Sequence, residues 1–235
     1  MTSGYFWPKF TCVSDSATTS APSVVIFGGT GYAGGHIAAR AAARGLRVTA
    51  VSRTAPTAPL EGVDYLQGRL SDTDLVRSLA TDHDVVVLAV HGQDVDGRKL
   101  VEHMPAIVGA VTEGGARLAV VGGAGSLRTS SDGPRVVDTP EFPEAFKGEA
   151  LAHADVLAWL RTEADSDAEW FYLSPAITFG SFAPGETTGS YRTSGDIAAF
   201  DDNGVSEISG TDYALAFVDE IVEPKHRNTR FTVAH

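Results

Sequence analysis

Residues 24–35 read VVIFGGTGYAGG, and this stretch decides the fold. The apolar run at 24–27 is typical of a buried strand, and the Ala-rich stretch at 36–44 is typical of a helix. Gly45 follows at a position where glycine commonly ends a helix. Between strand and helix, residues 28–34 form the pattern G-x-x-G-x-x-G. The sequence therefore predicts a strand, a glycine-rich turn and a helix in immediate succession.

The glycine-rich turn has the composition needed to hold a pyrophosphate. Small residues let the chain turn sharply and approach the anion, and the N–H groups of the helix N-terminus receive it. A turn that is merely tight would also favour glycine, so this alternative remains beside the first. We assign dinucleotide binding to Gly28, Thr30, Gly31, Tyr32, Ala33 and Gly34.

Apolar runs and helical stretches alternate along the rest of the chain. The pattern predicts strands at 47–52, 63–67, 84–90, 117–121, 170–173 and 231–233, and helices at 75–80, 100–113, 149–163 and 212–223. We expect two inward-facing stripes on the last two helices: Leu151, Ala154, Leu157 and Leu160, and Ala214, Phe217, Val218 and Ile221. Strands that are apolar throughout indicate a parallel sheet covered on both faces, which is a doubly wound α/β fold.

The chain divides into an arm and one domain. Residues 1–22 are rich in Ser and Thr without periodicity, which predicts a flexible N-terminal arm, and residues 23–235 form the α/β domain. A Gly-, Thr- and Ser-rich segment at about 175–210 predicts a loop-heavy elaboration on the substrate side. The first residues lack the apolar and basic segments of a secretory signal, so we expect a cytoplasmic protein.

The composition excludes several classes of function. The 235 residues carry 18 Lys and Arg against 30 Asp and Glu, a formal net charge of −12. This balance disfavours nucleic acid and anionic membranes as partners, and no apolar run is long enough to span a bilayer. The single cysteine, Cys12, excludes an intramolecular disulfide, and the seven histidines show no ligand-spaced pair, so we expect no metal site. A small-molecule substrate remains.

The end of the second strand discriminates between the two nicotinamide dinucleotides. A site for NAD would carry an acidic residue there for the ribose hydroxyls, but this chain reads Ser52-Arg53-Thr54. Arg53 could make a bidentate contact to the 2′-phosphate of NADP, with Ser52 and Thr54 donating hydrogen bonds beside it. We therefore expect NADPH to be preferred over NADH. The alternative is that Arg53 is a solvated charge and both cofactors are accepted.

In its glycine-rich turn and at the end of its second strand, the chain resembles the NmrA-like NAD(P)H-binding proteins of the atypical short-chain dehydrogenase/reductase group. These proteins are also described as epimerase/dehydratase-like. The resemblance covers about residues 23–235 and extends to VVGGAGSL at 120–127, WFYLSPA at 170–176, PGETTG at 184–189 and ISGTDYA at 208–214. It implies a Rossmann-type fold. It also implies that the 120–127 loop and the turn of Ser174, Pro175 and Ala176 lie beside the nicotinamide.

The sequence departs from the parent superfamily at the catalytic centre. Dehydrogenases of that superfamily use Tyr-x-x-x-Lys on a helix, but the one such spacing here, Tyr5 to Lys9, precedes the nucleotide-binding strand and is read as chance. Related proteins often have tyrosine before the lysine at 147, where this chain has Phe146, which has no proton to give. We therefore assign the polar catalytic roles to Ser126 and Lys147: Ser126 for a substrate carbonyl, Lys147 for a developing oxyanion or the ribose. A loop-capping hydroxyl and a surface charge are the alternatives.

Two histidines are candidates for roles at the same edge of the sheet. Val90 and His91 follow a buried strand and are assigned to the cofactor site, where His91 could also donate a proton or be an ordinary loop residue. His153 lies within a predicted helix and is read as structural.

The sequence thus predicts an NADPH-dependent reductase for a small quinone-, flavin- or carbonyl-type acceptor. The alternative is a non-catalytic NADP(H)-sensing regulator with a protein partner, which Phe146 favours. A nucleotide-sugar epimerase or dehydratase fits less well because the Tyr-x-x-x-Lys pair is missing. A homodimer is left open.

Overall fold

Strands and helices alternate along the chain in the computed structural model, which describes residues 21–93, 95 and 97–235. The strands are β1 (Ser23–Phe27), β2 (Arg47–Ser52), β3 (Val63–Gln67), β4 (Val85–Leu88), β5 (Arg117–Val121), β6 (Trp170–Ser174), β7 (Arg192–Ser194) and β8 (Thr229–Ala234). The α-helices are α1 (Tyr32–Ala43), α2 (Thr73–Asp82), α3 (Leu100–Gly114), α4 (Glu144–Thr162) and α5 (Gly210–Val222). A 3-10 turn, Val136–Asp138, precedes α4.

All eight strands belong to one sheet, in the order β3-β2-β1-β4-β5-β6-β8-β7. Every neighbouring pair is parallel except β7 with β8. The chain reverses its direction across the sheet after β3, so β1 and β4 lie side by side at the topological switch point, where such sheets bind ligands. The predicted single-domain, doubly wound α/β fold is confirmed.

The two faces of the sheet explain the continuous apolar strands. In β1, Val25 and Phe27 pack against α2, α3 and α4, whereas Val24 and Ile26 pack against α1 and α5. Successive side chains of a strand point to opposite faces, so a strand covered on both sides is apolar at every position.

Three predicted details of the helices are wrong. Helix α1 begins at Tyr32 rather than 36, and α4 begins at Glu144 rather than 149. The inward stripe of α4 also differs, because Leu151 is exposed and Ala154 is only half-buried, whereas Ala152 and Val156 are buried. The small side chains turn inward because the first half of α4 packs on loops at the sheet edge instead of on apolar strands. The stripe of α5 is buried as predicted.

The segment at 175–210 contains the short edge strand β7, which the sequence did not predict, and is otherwise irregular. No helix in the described part of the chain is long and apolar enough to cross a membrane. Most of the predicted arm at 1–22 lies outside the described residues, as do Tyr5, Lys9 and Cys12.

Candidate functional site

The glycine-rich turn lies at the carboxyl edge of the sheet and needs its glycines for two close approaches. Gly28 has φ of +84°, and a Cβ there would lie 2.1 Å from the carbonyl oxygen of Ala89, just after β4. A Cβ on Gly34, in the first turn of α1, would lie 2.2 Å from the carbonyl oxygen of Gly28. The helix therefore packs on the turn backbone to backbone, which brings the N-terminus of α1 to the switch point.

The N-terminus of α1 is suited to an anion. Its N-cap, Gly31, offers no capping side chain, and no acidic residue occupies the first turn. The first N–H groups of a helix have no partner within it, and together with the helix dipole they favour a negative group. Thr30 and Gly31 are exposed beside these N–H groups. The turn therefore offers N–H groups and the positive end of a helix dipole to an anion such as a pyrophosphate.

Tyr32 contributes to the turn differently from its neighbours. Its ring packs edge-on against His36 and Phe179, with centroids 4.9 and 5.5 Å away. Its hydroxyl is buried without a hydrogen-bond partner among the described residues. The Tyr32 phenol therefore points into the protein, and its backbone N–H is the group available to a ligand. Ala33 is half-buried beside it.

The end of β2 presents a free cation. Arg53 is exposed, and its guanidinium makes no hydrogen bond or ion pair to any described residue, while its carbonyl accepts from Gln67 at 2.9 Å. The Ser52 hydroxyl donates its one proton to the carbonyl of Thr54 at 2.6 Å. The Ser52 hydroxyl thus has an internal partner, and the contact of Ser52, Arg53 and Thr54 with a phosphate stays a prediction.

The loop after β4 is held by a carboxylate from α4. Glu149 accepts from the N–H of Gly92 at 2.8 Å and from that of Gln93 at 3.1 Å. It also pairs with the buried His153 at 3.2 Å and with the exposed His91 at 3.3 Å. His91 and Val90 therefore stand on a loop whose backbone is fixed, and a Cβ added to Gly28 would lie 3.2 Å from Val90 Cγ1.

The same contacts change the acidity of Glu149. Burial alone would raise the pKa of Glu149, but hydrogen bonds from His153 and Gly92 outweigh it and lower the pKa from 4.5 to about 2. Glu149 is therefore a carboxylate throughout the neutral range. Nothing in the local sequence marks Glu149 for this role, because its loop partners lie more than fifty residues earlier in the chain.

We expect Glu149→Gln to destabilise the protein by about 1–3 kcal/mol at pH 7, because an amide cannot accept from both loop N–H groups. The unfolded state takes up its proton first as pH falls, so the wild type loses this stabilisation from about pH 4.5 towards pH 2. The free energy difference between wild type and variant should therefore shrink in that range. Urea unfolding at pH 7 and pH 3 measures it.

Glu113→Gln is the matched control, because Glu113 pairs with Arg77 on the surface and its loss should cost about 0–1 kcal/mol. A Glu149→Gln difference that stays constant down to pH 3 would contradict this account of the loop.

The loop after β5 is fixed by two side chains of β6. The Tyr172 hydroxyl accepts from the N–H of Gly123 at 3.1 Å and donates to the carbonyl of His153 at 3.0 Å. The Ser174 hydroxyl donates to the carbonyl of Gly123 at 3.0 Å. Burial raises the pKa of Tyr172 to about 12, so this phenol stays protonated and serves as a fixed connector rather than a proton donor.

Helix α4 lies against both of these loops through small residues. A Cβ on Gly125 would lie 2.6 Å from the Cβ of Ala150, and a Cβ on Gly92 would lie 3.2 Å from that of Ala152. The loops after β4 and β5 are thus brought together by the first half of α4, as expected of a site built at this edge.

The two residues assigned catalytic roles have different partners. The Ser126 hydroxyl accepts from Arg230 at 2.9 Å, and Arg230 is buried. Lys147 is half-exposed in the first turn of α4, with its ammonium 3.6 Å from Glu144. Phe146 beside it is 48% exposed and stacks on Phe182 of the 175–210 segment, with centroids 5.4 Å apart. No described contact joins Ser126 to Lys147, so the structure does not bring them together directly.

The predicted nicotinamide-side turn is buried. Ser174, Pro175 and Ala176 are all enclosed, and the Ser174 hydroxyl is already used by Gly123. Their contact with a cofactor stays a prediction that rests on resemblance. Across the described residues, no group of three or more His, Cys, Asp or Glu side chains could hold a metal ion.

Comparison with known proteins identifies relatives over nearly the whole chain. The family model for NAD(P)H-binding proteins matches residues 28–224. The uncharacterized protein YwnB of Bacillus subtilis (strain 168) is 36% identical over 213 residues, which cover 88% of this chain and 96% of YwnB.

Two solved structures share the architecture at substantial identity. One, from Bacteroides thetaiotaomicron, is provisionally named an epimerase; it is 30% identical, with a TM-score of 0.80 and coverage of 92% of this chain and 97% of the other. The other, from Streptococcus pneumoniae, is provisionally named an NADH-flavin reductase; it is 32% identical, with a TM-score of 0.77 and coverage of 92% and 100%.

Proposed function

Since the chain belongs to the NAD(P)H-binding family, we propose that it is an NmrA-like, NADPH-dependent oxidoreductase acting on a small quinone-, flavin- or carbonyl-type acceptor. The observation that carries the proposal is the uncapped N-terminus of α1 behind a turn with no space for a Cβ at Gly28 or Gly34. This cradle receives a pyrophosphate and leaves the nicotinamide end of the cofactor to the loops after β4 and β5.

The choice of NADPH rests on the free guanidinium of Arg53. It stands at the end of β2, where the adenosine ribose of a dinucleotide lies in folds of this type, and no carboxylate follows the strand. A planar guanidinium matches a phosphate in charge and in hydrogen-bond geometry. The Thr54 hydroxyl is the second donor at this position.

The bound cofactor would supply the hydride, and the protein supplies position and electrostatics. The strand-end loops hold the acceptor at the carboxyl edge, and Ser126 and Lys147 are the polar groups that we assign to its oxygen. Quinone- and flavin-type acceptors are electron-poor, so their proton can come from water. The provisional name of the Streptococcus pneumoniae relative supports an acceptor of the flavin type. Assays of NADPH oxidation with quinones, flavins and aldehydes test the proposal.

We expect Lys147→Ala to lower kcat by about tenfold and to leave NADPH affinity nearly unchanged, because the lysine would stabilise charge that develops only during transfer. Steady-state kinetics with a calorimetric cofactor titration separate the two effects. Lys225→Ala is the control, since Lys225 is an exposed lysine between α5 and β8, at the opposite edge of the sheet. If kcat is the same in both variants, Lys147 has no part in the reaction.

A second candidate function is an NADP(H)-sensing regulator without turnover. Phe146 favours it, because an aromatic ring without a proton occupies the position where relatives often have tyrosine, and it lies exposed in a stack with Phe182. Tight NADPH binding without oxidation by any acceptor would support the regulator in place of the reductase.

A further inference from the structure

A buried arginine lies behind the hydroxyl that we assign to the acceptor. The Arg230 side chain, on β8, is only 2% exposed. Its Nη1 donates to Ser126 Oγ at 2.9 Å, and its Nε donates to Asp196 Oδ1 at 2.7 Å. A buried charge needs a partner, and Asp196 supplies one. The bond to Ser126 is additional to that pairing.

The cluster around Arg230 carries a surplus positive charge. Arg161 of α4 donates to the same carboxylate oxygen at 2.6 Å, so one carboxylate faces two guanidinium groups. Burial alone would raise the pKa of Asp196, but hydrogen bonds from Arg161 and Arg230 outweigh it and hold the pKa below its ordinary range. Asp196 therefore stays ionised, and the three groups together carry one net positive charge.

The Ser126 hydroxyl is left with a proton to donate. Its oxygen accepts from Arg230, and no described residue accepts its hydrogen. Ser126 is only partly buried on the loop after β5, which leaves its hydrogen room to meet a ligand. A hydroxyl that accepts from a cation is a stronger donor, because hydrogen bonds in a chain polarise one another.

We propose that Arg230 is a positioning residue that turns and polarises the Ser126 hydroxyl, so that Ser126 donates a hydrogen bond to the acceptor oxygen as that oxygen gains negative charge. The inference rests on the proposed function and specifies how the site manages without a catalytic tyrosine. The acceptor gains a hydride from the cofactor and a proton from solvent, and Ser126 and Arg230 keep all of their protons. The acceptor class is one whose reduction places negative charge on an oxygen, namely a carbonyl or a quinone.

The test is a double-mutant cycle with Ser126→Ala, Arg230→Met and the double variant. Two quantities are measured: kcat with a quinone, and affinity for pentafluorophenolate, which presents an oxyanion but accepts no hydride. We expect each single variant to lower both by about tenfold to a hundredfold, the range for a hydrogen bond to a charged group. The double variant should lose no more than Ser126→Ala, because Arg230 acts only through that hydroxyl.

Neither single substitution should unfold the protein. Asp196 keeps Arg161 in Arg230→Met, and Ser126→Ala leaves the ion cluster intact, so urea unfolding should show all variants folded. Arg227→Met is the matched control, because Arg227 precedes the same strand and pairs with Glu169 at the surface. It should leave kcat and phenolate affinity unchanged.

Three results overturn the inference, and they differ in what they say about the function. Losses that add in the double variant, or a Ser126→Ala variant with normal kcat and phenolate affinity, would show that Arg230 does not act through Ser126, while the reductase stands. If the wild type oxidises NADPH with none of the acceptors tested and binds no phenolate, both the inference and the proposed function are overturned.

Discussion

Gly34→Ala should abolish tight NADPH binding and destabilise the fold by about 3 kcal/mol, the upper end of the usual cost of overpacking. The added Cβ would lie 2.2 Å from the carbonyl oxygen of Gly28 and 3.1 Å from the Cα of Gly29, and these are backbone atoms that no rotamer change can move. Helix α1 must therefore shift away from the turn, and its N–H groups leave the position that a pyrophosphate needs. Calorimetric titration with NADPH and urea unfolding measure the two effects.

Gly35→Ala is the control for this prediction. It lies next to Gly34 in α1, but its added Cβ would meet only the carbonyl oxygen of Gly29 at 3.8 Å, an ordinary contact. Alanine also favours the helix over glycine by about 1 kcal/mol. We expect Gly35→Ala to keep NADPH affinity and to gain stability. Equal losses in the two variants would show that the close packing at Gly34 does not position the site.

Arg53→Ala should weaken NADPH binding by about 1.5–3 kcal/mol, which is roughly tenfold to a hundredfold, and leave NADH binding nearly unchanged. The guanidinium has no partner among the described residues, so its removal breaks no internal contact and should leave the free energy of unfolding unchanged. The selectivity between the cofactors is therefore the quantity that responds. Titration of the wild type and of Arg53→Ala with NADPH and with NADH, all at one ionic strength, measures this selectivity.

NADH is the internal control for Arg53, since it lacks only the 2′-phosphate. Equal losses for NADPH and NADH would assign Arg53 to a general charge effect, and unchanged affinity for both would place the phosphate elsewhere. Thr54→Ala should show the same selectivity with a smaller loss, because a neutral hydroxyl donates a weaker hydrogen bond than a guanidinium.

The strands and their order in the chain could be predicted because burial on both faces leaves a direct trace in the sequence. Strands β2, β3 and β5 have the predicted bounds, and each is bordered by residues that favour turns. The short edge strand β7 could not be predicted, since its sequence, Arg-Thr-Ser, is polar and its pairing depends on β8 about forty residues later. The start of α4 was missed because its first turns are held by loop packing rather than by an apolar stripe.

The cofactor end of the site could be predicted and the acceptor end only in part. The backbone comes too close at Gly28 and Gly34 for any side chain, and the glycine pattern in the local sequence indicates this requirement. Glu149 and Arg230 act through contacts between distant parts of the chain, with Gly92 in one case and Ser126 in the other. A buried carboxylate on a helix and an arginine in an apolar strand are the signals that the sequence offers, and neither identifies its partner.

Calorimetric titration of the full chain with NADPH and NADH tests whether NADPH binds at the carboxyl edge. We expect one site per chain, with NADPH bound at least tenfold more tightly than NADH because of the contact between Arg53 and the 2′-phosphate. Binding of neither cofactor, or tighter binding of NADH, would contradict this expectation.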